Sequence, residues 1–183
     1  MSLEQFSLIV GICLVIGQAI FILGWFLFAV SSKFRTWISG LFSRQVWTFL
    51  TLLLIVGSIG GSLIYSNIYE LAVCEFCWYQ RMAIYPQAII LVVALWKKEY
   101  ISGIVSSLVL SSIGIVLAAY QYSLNVRKML HPDTFFAPCD ASGISCADVP
   151  IVIFGYITIP FMTIAILLLS MTTLYFALKT KKI

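Results

Sequence analysis

Charge is what this sequence has least of. Only 10% of its 183 residues are Asp, Glu, Lys or Arg, and His131 is its single histidine. Soluble domains carry about 25% charged residues. That deficit excludes a soluble enzyme, a disordered chain and a nucleic-acid-binding protein. Haem-attachment motifs, iron–sulfur ligand sets and dinucleotide-binding glycine fingerprints are also missing. What is abundant is apolar surface, at 62% of residues. A small polytopic membrane protein remains, with the length of one domain.

A helix crossing the hydrocarbon core needs roughly 20 apolar residues. Five runs qualify: 6–30, 46–66, 77–96, 100–122 and 151–178. They are too long and too little alternating for strands, so the expected fold is all-α. The first run lacks a basic segment before it and exceeds a signal-peptide core in length. It is therefore expected to stay as a helix.

Lys33, Arg35 and Arg44 follow the first run, Lys97 and Lys98 the third, and Lys179, Lys181 and Lys182 the fifth. Three separate segments thus place their basic residues on one side, which the positive-inside rule makes cytoplasmic. The N-terminus, the segment 67–76 and the loop 123–150 then lie outside, where only Arg127 and Lys128 are basic. Gly57 and Gly61 form a GxxxG pair, and Gly103, Ser107 and Ser111 a stripe of small residues. Both read as helix-packing surfaces.

Of five cysteines, Cys13 lies deep in the first run, reads as a small hydrophobe and takes no role. The other four fall on the outer side as two pairs, Cys74 with Cys77 and Cys139 with Cys146. Disulfides persist in that compartment. Structural disulfides, a four-cysteine zinc site and redox exchange are all compatible with four such residues. Position favours exchange. The C-x-x-C pair stands at the N-terminus of a membrane helix, whose dipole stabilises a thiolate. Exchange uses that thiolate and a structural disulfide does not. The second pair sits among His131, Pro132, Pro138, Gly143 and Pro150, in a loop that fits either a mobile exchange partner or a staple.

Arg81 is the only charge inside a run and shows no polar partner there. It follows Cys77 by four positions, so both face one side of one helix. Arg near a helix end can snorkel into water. A functional cation would instead lower a thiol pKa and bind an electron-rich oxygen, but it cannot act as an acid. Glu75, next to the pair, is a nearby acid. Electrons leaving a reduced C-x-x-C need an acceptor. Beside Phe76, Trp78, Tyr79 and Tyr85 a lipid-soluble planar molecule fits, and a quinone is the obvious candidate.

The segment Cys74-Glu75-Phe76-Cys77-Trp78-Tyr79-Gln80-Arg81 resembles the signature of the disulfide bond formation protein B family, DsbB and its BdbC-like members. Phe136-Ala137-Pro138-Cys139-Asp140 and Ala141-Ser142-Gly143-Ile144-Ser145-Cys146 are similar to the family's two loop-cysteine motifs. Gly155-Tyr156-Ile157-Thr158-Ile159-Pro160-Phe161 resembles the start of its last helix. In vitamin K epoxide reductases, which share the bundle, the loop cysteines come before the C-x-x-C; here they come after.

The resemblance implies a four-helix membrane domain over 46–183, with 1–45 as an added N-terminal helix and cytoplasmic loop. It implies a thiol:quinone oxidoreductase of the bacterial cytoplasmic membrane, N-terminus outside and C-terminus cytoplasmic. Such a protein reoxidises a thioredoxin-like, DsbA-like oxidase and passes electrons to ubiquinone or menaquinone. Cys74, Cys77, Cys139 and Cys146 would be catalytic and Arg81 quinone-binding, with Cys139 paired to Cys146 at rest and joined to the partner during turnover. The short Cys139–Cys146 spacing leaves little room for a lateral membrane-surface helix. The alternative is a non-enzymatic membrane protein with structural disulfides or zinc.

Overall fold

The computed structural model describes residues 2–132 and 145–180. Six α-helices order the described chain: α1 (Leu3–Val30), α2 (Ser32–Leu41), α3 (Arg44–Leu63), α4 (Glu75–Lys97), α5 (Tyr100–Leu130) and α6 (Ile159–Lys179). A π-helical turn, Ile64–Ile68, continues α3. The described residues hold no strand beyond one isolated bridge, Ile153 with Ile157. The expected all-helical membrane fold is the observed one.

Local chemistry sets the helix starts. Ser2 and Gln5 form a reciprocal capping box at α1. Ser31 and Ser43 cap α2 and α3 through their hydroxyls. Pro160 lies in the first turn of α6, where its missing N–H leaves nothing unpaired. That proline corrects the expected fifth run: α6 starts at Ile159, and the residues before it turn through Phe154 and Gly155 at φ 52° and 77°. The fourth run also shifts. α5 continues past Tyr122 to Leu130, with Arg127 and Lys128 in the last turn, where cations suit the helix dipole. The short helix α2 was not expected.

Helices α3 to α6 close a four-membered bundle in which α3 and α5 each pack against both α4 and α6. Thr51 and Thr173 share a 2.7 Å hydrogen bond between α3 and α6. Ser111 donates to Gln87 between α5 and α4 at 3.1 Å. The stripe on α5 packs as expected. A Cβ added to Gly103 would stand 2.5 Å from the Cβ of Ala94, and Ser107 and Ser111 are fully buried. The GxxxG pair on α3 does not pack: a Cβ at Gly57 or Gly61 would meet nothing within 4 Å. α1 lies outside the bundle against α6, where Trp25 donates to Thr172 at 3.3 Å.

Among the described residues, four helices are long and apolar enough to cross a membrane: α1, α3 with its π turn, α5 and α6. α4, the third expected span, is not among them. Its 23 residues rise about 34 Å at 1.5 Å each, enough for a bilayer core. Gln80, Arg81 and Gln87 lower its apolar character.

Candidate active site

The C-x-x-C stands at the head of α4. Cys74 is the N-cap residue in extended conformation, and its carbonyl accepts the first helical bond, from Trp78 N–H at 3.2 Å. Cys77 follows in the first turn. The two are free thiols with sulfurs 2.9 Å apart. Cys74 is buried and Cys77 half-buried. The Cys74 thiol is held far above its ordinary range, first by its hydrogen bond with Cys77 and then by burial.

A side chain that the sequence did not single out touches both sulfurs. Gln121, buried on α5, donates its amide to Cys74 Sγ at 3.2 Å and to Cys77 Sγ at 3.5 Å. Its carbonyl oxygen accepts from the buried Gln80 amide, which fixes which end of Gln121 faces the sulfurs. One turn further along α5, Asn125 donates to the carbonyls of Cys146 and Ala147 at 3.4 and 3.2 Å. That pair of bonds pins the segment at Cys146 and Ala147 onto the bundle. Cys146 is disulfide-bonded and buried. It packs with Cys74, Leu124 and Ala147 in one apolar cluster that Phe76 and Cys77 flank. Cys139 and the motifs around it lie outside the described residues.

Arg81 is half-buried and not left to solvent alone. Its Nε donates to Ser62 Oγ at 3.0 Å and its Nη2 to the Ser62 carbonyl at 3.1 Å. The guanidinium carbon lies 5.2 Å from the centre of the Trp78 ring. Ser62 on α3 is thus the polar partner that the sequence did not reveal. These two bonds occupy two of five guanidinium N–H donors. Glu75 accepts from the Tyr79 hydroxyl on the exposed side of α4.

Cys77 and Arg81 both line a cavity of about 340 Å³. Gly57, Ser58, Gly61 and Ser62 of α3 make the room for it, and Ile84, Met162 and Ile166 supply apolar wall. A second cavity of about 240 Å³ opens on the other side of the thiols, lined by Cys74, Cys77, Gln121, Asn125 and Asp148. Cys77 therefore stands between a mainly apolar chamber holding a cation and a more polar one beside the returning loop. Small-ligand pockets occupy about 300–1,000 Å³, mostly apolar with a few convergent polar groups. The first cavity meets that description and could hold a flat ring with an oxygen turned to Arg81.

The sequence placed Cys77 and Arg81 together correctly, because four-residue spacing is a local property of a helix. It missed Ser62, Gln80, Gln121 and Asn125. The available signal was polar side chains in or beside apolar runs, with Gln121 and Asn125 one turn apart.

The profile of the family described as "Disulfide bond formation protein DsbB" matches residues 43–177. The chain is 35% identical over 123 residues to the SPbeta prophage-derived disulfide bond formation protein B of Bacillus subtilis, covering 66% of this chain and 79% of that protein. It is 36% identical over 106 residues to a probable disulfide formation protein of Coxiella burnetii, covering 56% and 67%. Against probable disulfide formation protein C 2 of Bacillus anthracis it is 30% identical over 129 residues, covering 70% and 84%. No solved structure matches the chain.

Proposed function

The chain belongs to the DsbB family of membrane disulfide-formation proteins, and from that premise we propose that it is a thiol:quinone oxidoreductase serving a thioredoxin-like oxidase outside the cytoplasm. The observation that carries the quinone is the cavity that Cys77 shares with Arg81. Residues 46–183 form the family domain, and 1–45 are an addition to it. The positive-inside bias puts the N-terminus and both cysteine pairs outside the bacterial cytoplasmic membrane and the C-terminus in the cytoplasm.

The chemistry divides between the two sides of the C-x-x-C. A thiolate of the reduced partner attacks the Cys139–Cys146 disulfide, bonding to Cys139 and releasing Cys146 as thiolate. Cys146 attacks Cys74, its neighbour in the apolar cluster, and the Cys74–Cys77 bond breaks to release Cys77. The partner's second thiolate displaces Cys139 and leaves oxidised. Cys139 then attacks Cys146, re-forming the loop disulfide and leaving Cys74 and Cys77 as a dithiol. The net transfer is two electrons and two protons from partner to C-x-x-C. When bound, the quinone accepts two electrons and two protons as the C-x-x-C disulfide re-forms. Arg81 offers N–H donors to an acceptor oxygen and its charge to the Cys77 thiolate. Gln121 holds the two sulfurs in register. Each exchange is close to balance, since about 30 mV corresponds to 1.4 kcal/mol for a two-electron couple.

Purified protein in detergent, supplied with a reduced thioredoxin-like oxidase and a soluble quinone, should form quinol only with its cysteines intact. Cys139→Ser should stop partner oxidation while reduced Cys74 and Cys77 still form quinol. Bound zinc at one equivalent with no quinol would instead return the cysteines to a metal-holding role.

A further inference from the structure

α1 precedes the family match, which begins at residue 43. It is nonetheless part of the cavity that holds Cys77 and Arg81. Phe6, Val10 and Leu14 line that cavity. They recur every four residues and so form one stripe along α1. The opposite face of the same helix is exposed, with Leu8, Ile9, Ile12 and Ile16 all 44% or more accessible. In a bilayer α1 therefore stands between the cavity and the lipid.

The helix is keyed to that place. Ser7 is buried and accepts from the Tyr65 hydroxyl at 3.4 Å. Phe6 meets Tyr65 edge-on at 5.3 Å and Tyr69 at 5.6 Å. Gly11 is buried against Ile153, and a Cβ there would fall 2.8 Å from Ile153 Cγ2. These contacts set both the rotation and the height of α1, and with them the direction of the stripe.

We propose that α1 is the lipid-side wall of the acceptor cavity and that Phe6, Val10 and Leu14 carry the acceptor's apolar tail. The inference rests on the quinone reading above. About 340 Å³ is near the lower end of small-ligand sites, so a ring head fills it and a long hydrocarbon tail must leave. The polar end of the chamber is taken by Cys77, Arg81 and Ser62, so the ring's oxygen belongs there. The α1 stripe has no polar group to offer a ring oxygen, and it runs along the helix from the chamber into the depth of the membrane. It adds an acceptor-selecting element to the family bundle.

Full-length protein tests this in two ways. A benzoquinone with a decyl tail ending in a photoreactive diazirine is bound and irradiated, and the labelled residues are mapped by mass spectrometry. Label should fall on α1 within 3–30, and label confined to α3 or α6 would overturn the assignment. In parallel, reduced protein freed of reductant is mixed with decyl-tailed or tail-less benzoquinone and quinol formation is followed. Val10→Ala with Leu14→Ala should raise the half-saturating concentration of the tailed acceptor about tenfold, equivalent to about 1.4 kcal/mol. The tail-less acceptor should move much less. Ile9→Ala with Ile16→Ala, on the lipid side, should change neither. Equal shifts for both acceptors, or none, would remove the tail from α1. If the unaltered protein reduces neither acceptor, the oxidoreductase reading itself fails, wherever the label lands.

Discussion

At the scale of residues, the proposed function divides two tasks between Arg81 and Gln121. Arg81 lines the cavity beside Cys77, and Gln121 faces the sulfurs. Their variants should part accordingly. Hydrogen bonds to a charged group contribute about 1.5–3 kcal/mol, so Arg81→Ala should raise the half-saturating quinone concentration by roughly ten- to a hundred-fold. It also removes a cation beside the Cys77 thiolate, so the potential of the Cys74–Cys77 pair should fall somewhat, and the lost quinone affinity is what sets this variant apart. Gln121→Leu removes two neutral donors of about 1 kcal/mol each, bonds made to the reduced sulfurs. Destabilising the dithiol makes it easier to oxidise, so the pair's potential should fall by roughly 40 mV. Redox titration against glutathione, beside quinone kinetics, reads both. An Arg81→Ala protein with unaltered quinone kinetics would sink its assignment. Arg81 itself was legible because helical spacing ties it to Cys77. Gln121 was not, because it reaches Cys74 from 47 positions away.

At the scale of elements, two stripes of small residues have opposite uses. On α5, Gly103 lets the Ala94 face of α4 approach closely. On α3, Gly57 and Gly61 leave space that no neighbour fills, and that space is the cavity floor. Both patterns look alike in one dimension, since each is small residues at four-residue spacing. Substitution tells them apart. Gly103→Leu must push α4 from α5, overpacking that costs about 1–3 kcal/mol, and the melting temperature should drop. Gly57→Leu meets open space and gains about 0.5–1 kcal/mol of helix propensity, so stability should hold or rise. Its quinone affinity should nevertheless fall, because Leu occupies the floor. Thermal unfolding with and without bound quinone compares the two. Loss of stability in Gly57→Leu would show that this glycine packs after all. The same logic explains α4: Gln80, Arg81 and Gln87 dilute the apolar run that would mark a span, and two of them build or brace the site.

At the scale of the whole molecule, the number of crossings decides where the ends lie. With α4 crossing, the chain spans the membrane five times and its termini face opposite sides. Protease added to intact spheroplasts should remove an N-terminal tag and spare a C-terminal one. Termini on the same side would mean that α4 does not cross. The membrane class, the helical fold and the pairing of Cys77 with Arg81 were determined by the sequence alone, because composition and helical periodicity act over a few residues. Only the tertiary structure decided that Gly57 and Gly61 open a chamber, that Ser62 holds Arg81, and that Cys146 packs beside Cys74. It also decided that Phe6, Val10 and Leu14 of α1, which precedes the family match, line that chamber. Each of these depends on how helices distant in the chain rotate and slide against one another, which is set by packing of whole surfaces and leaves no local period to read.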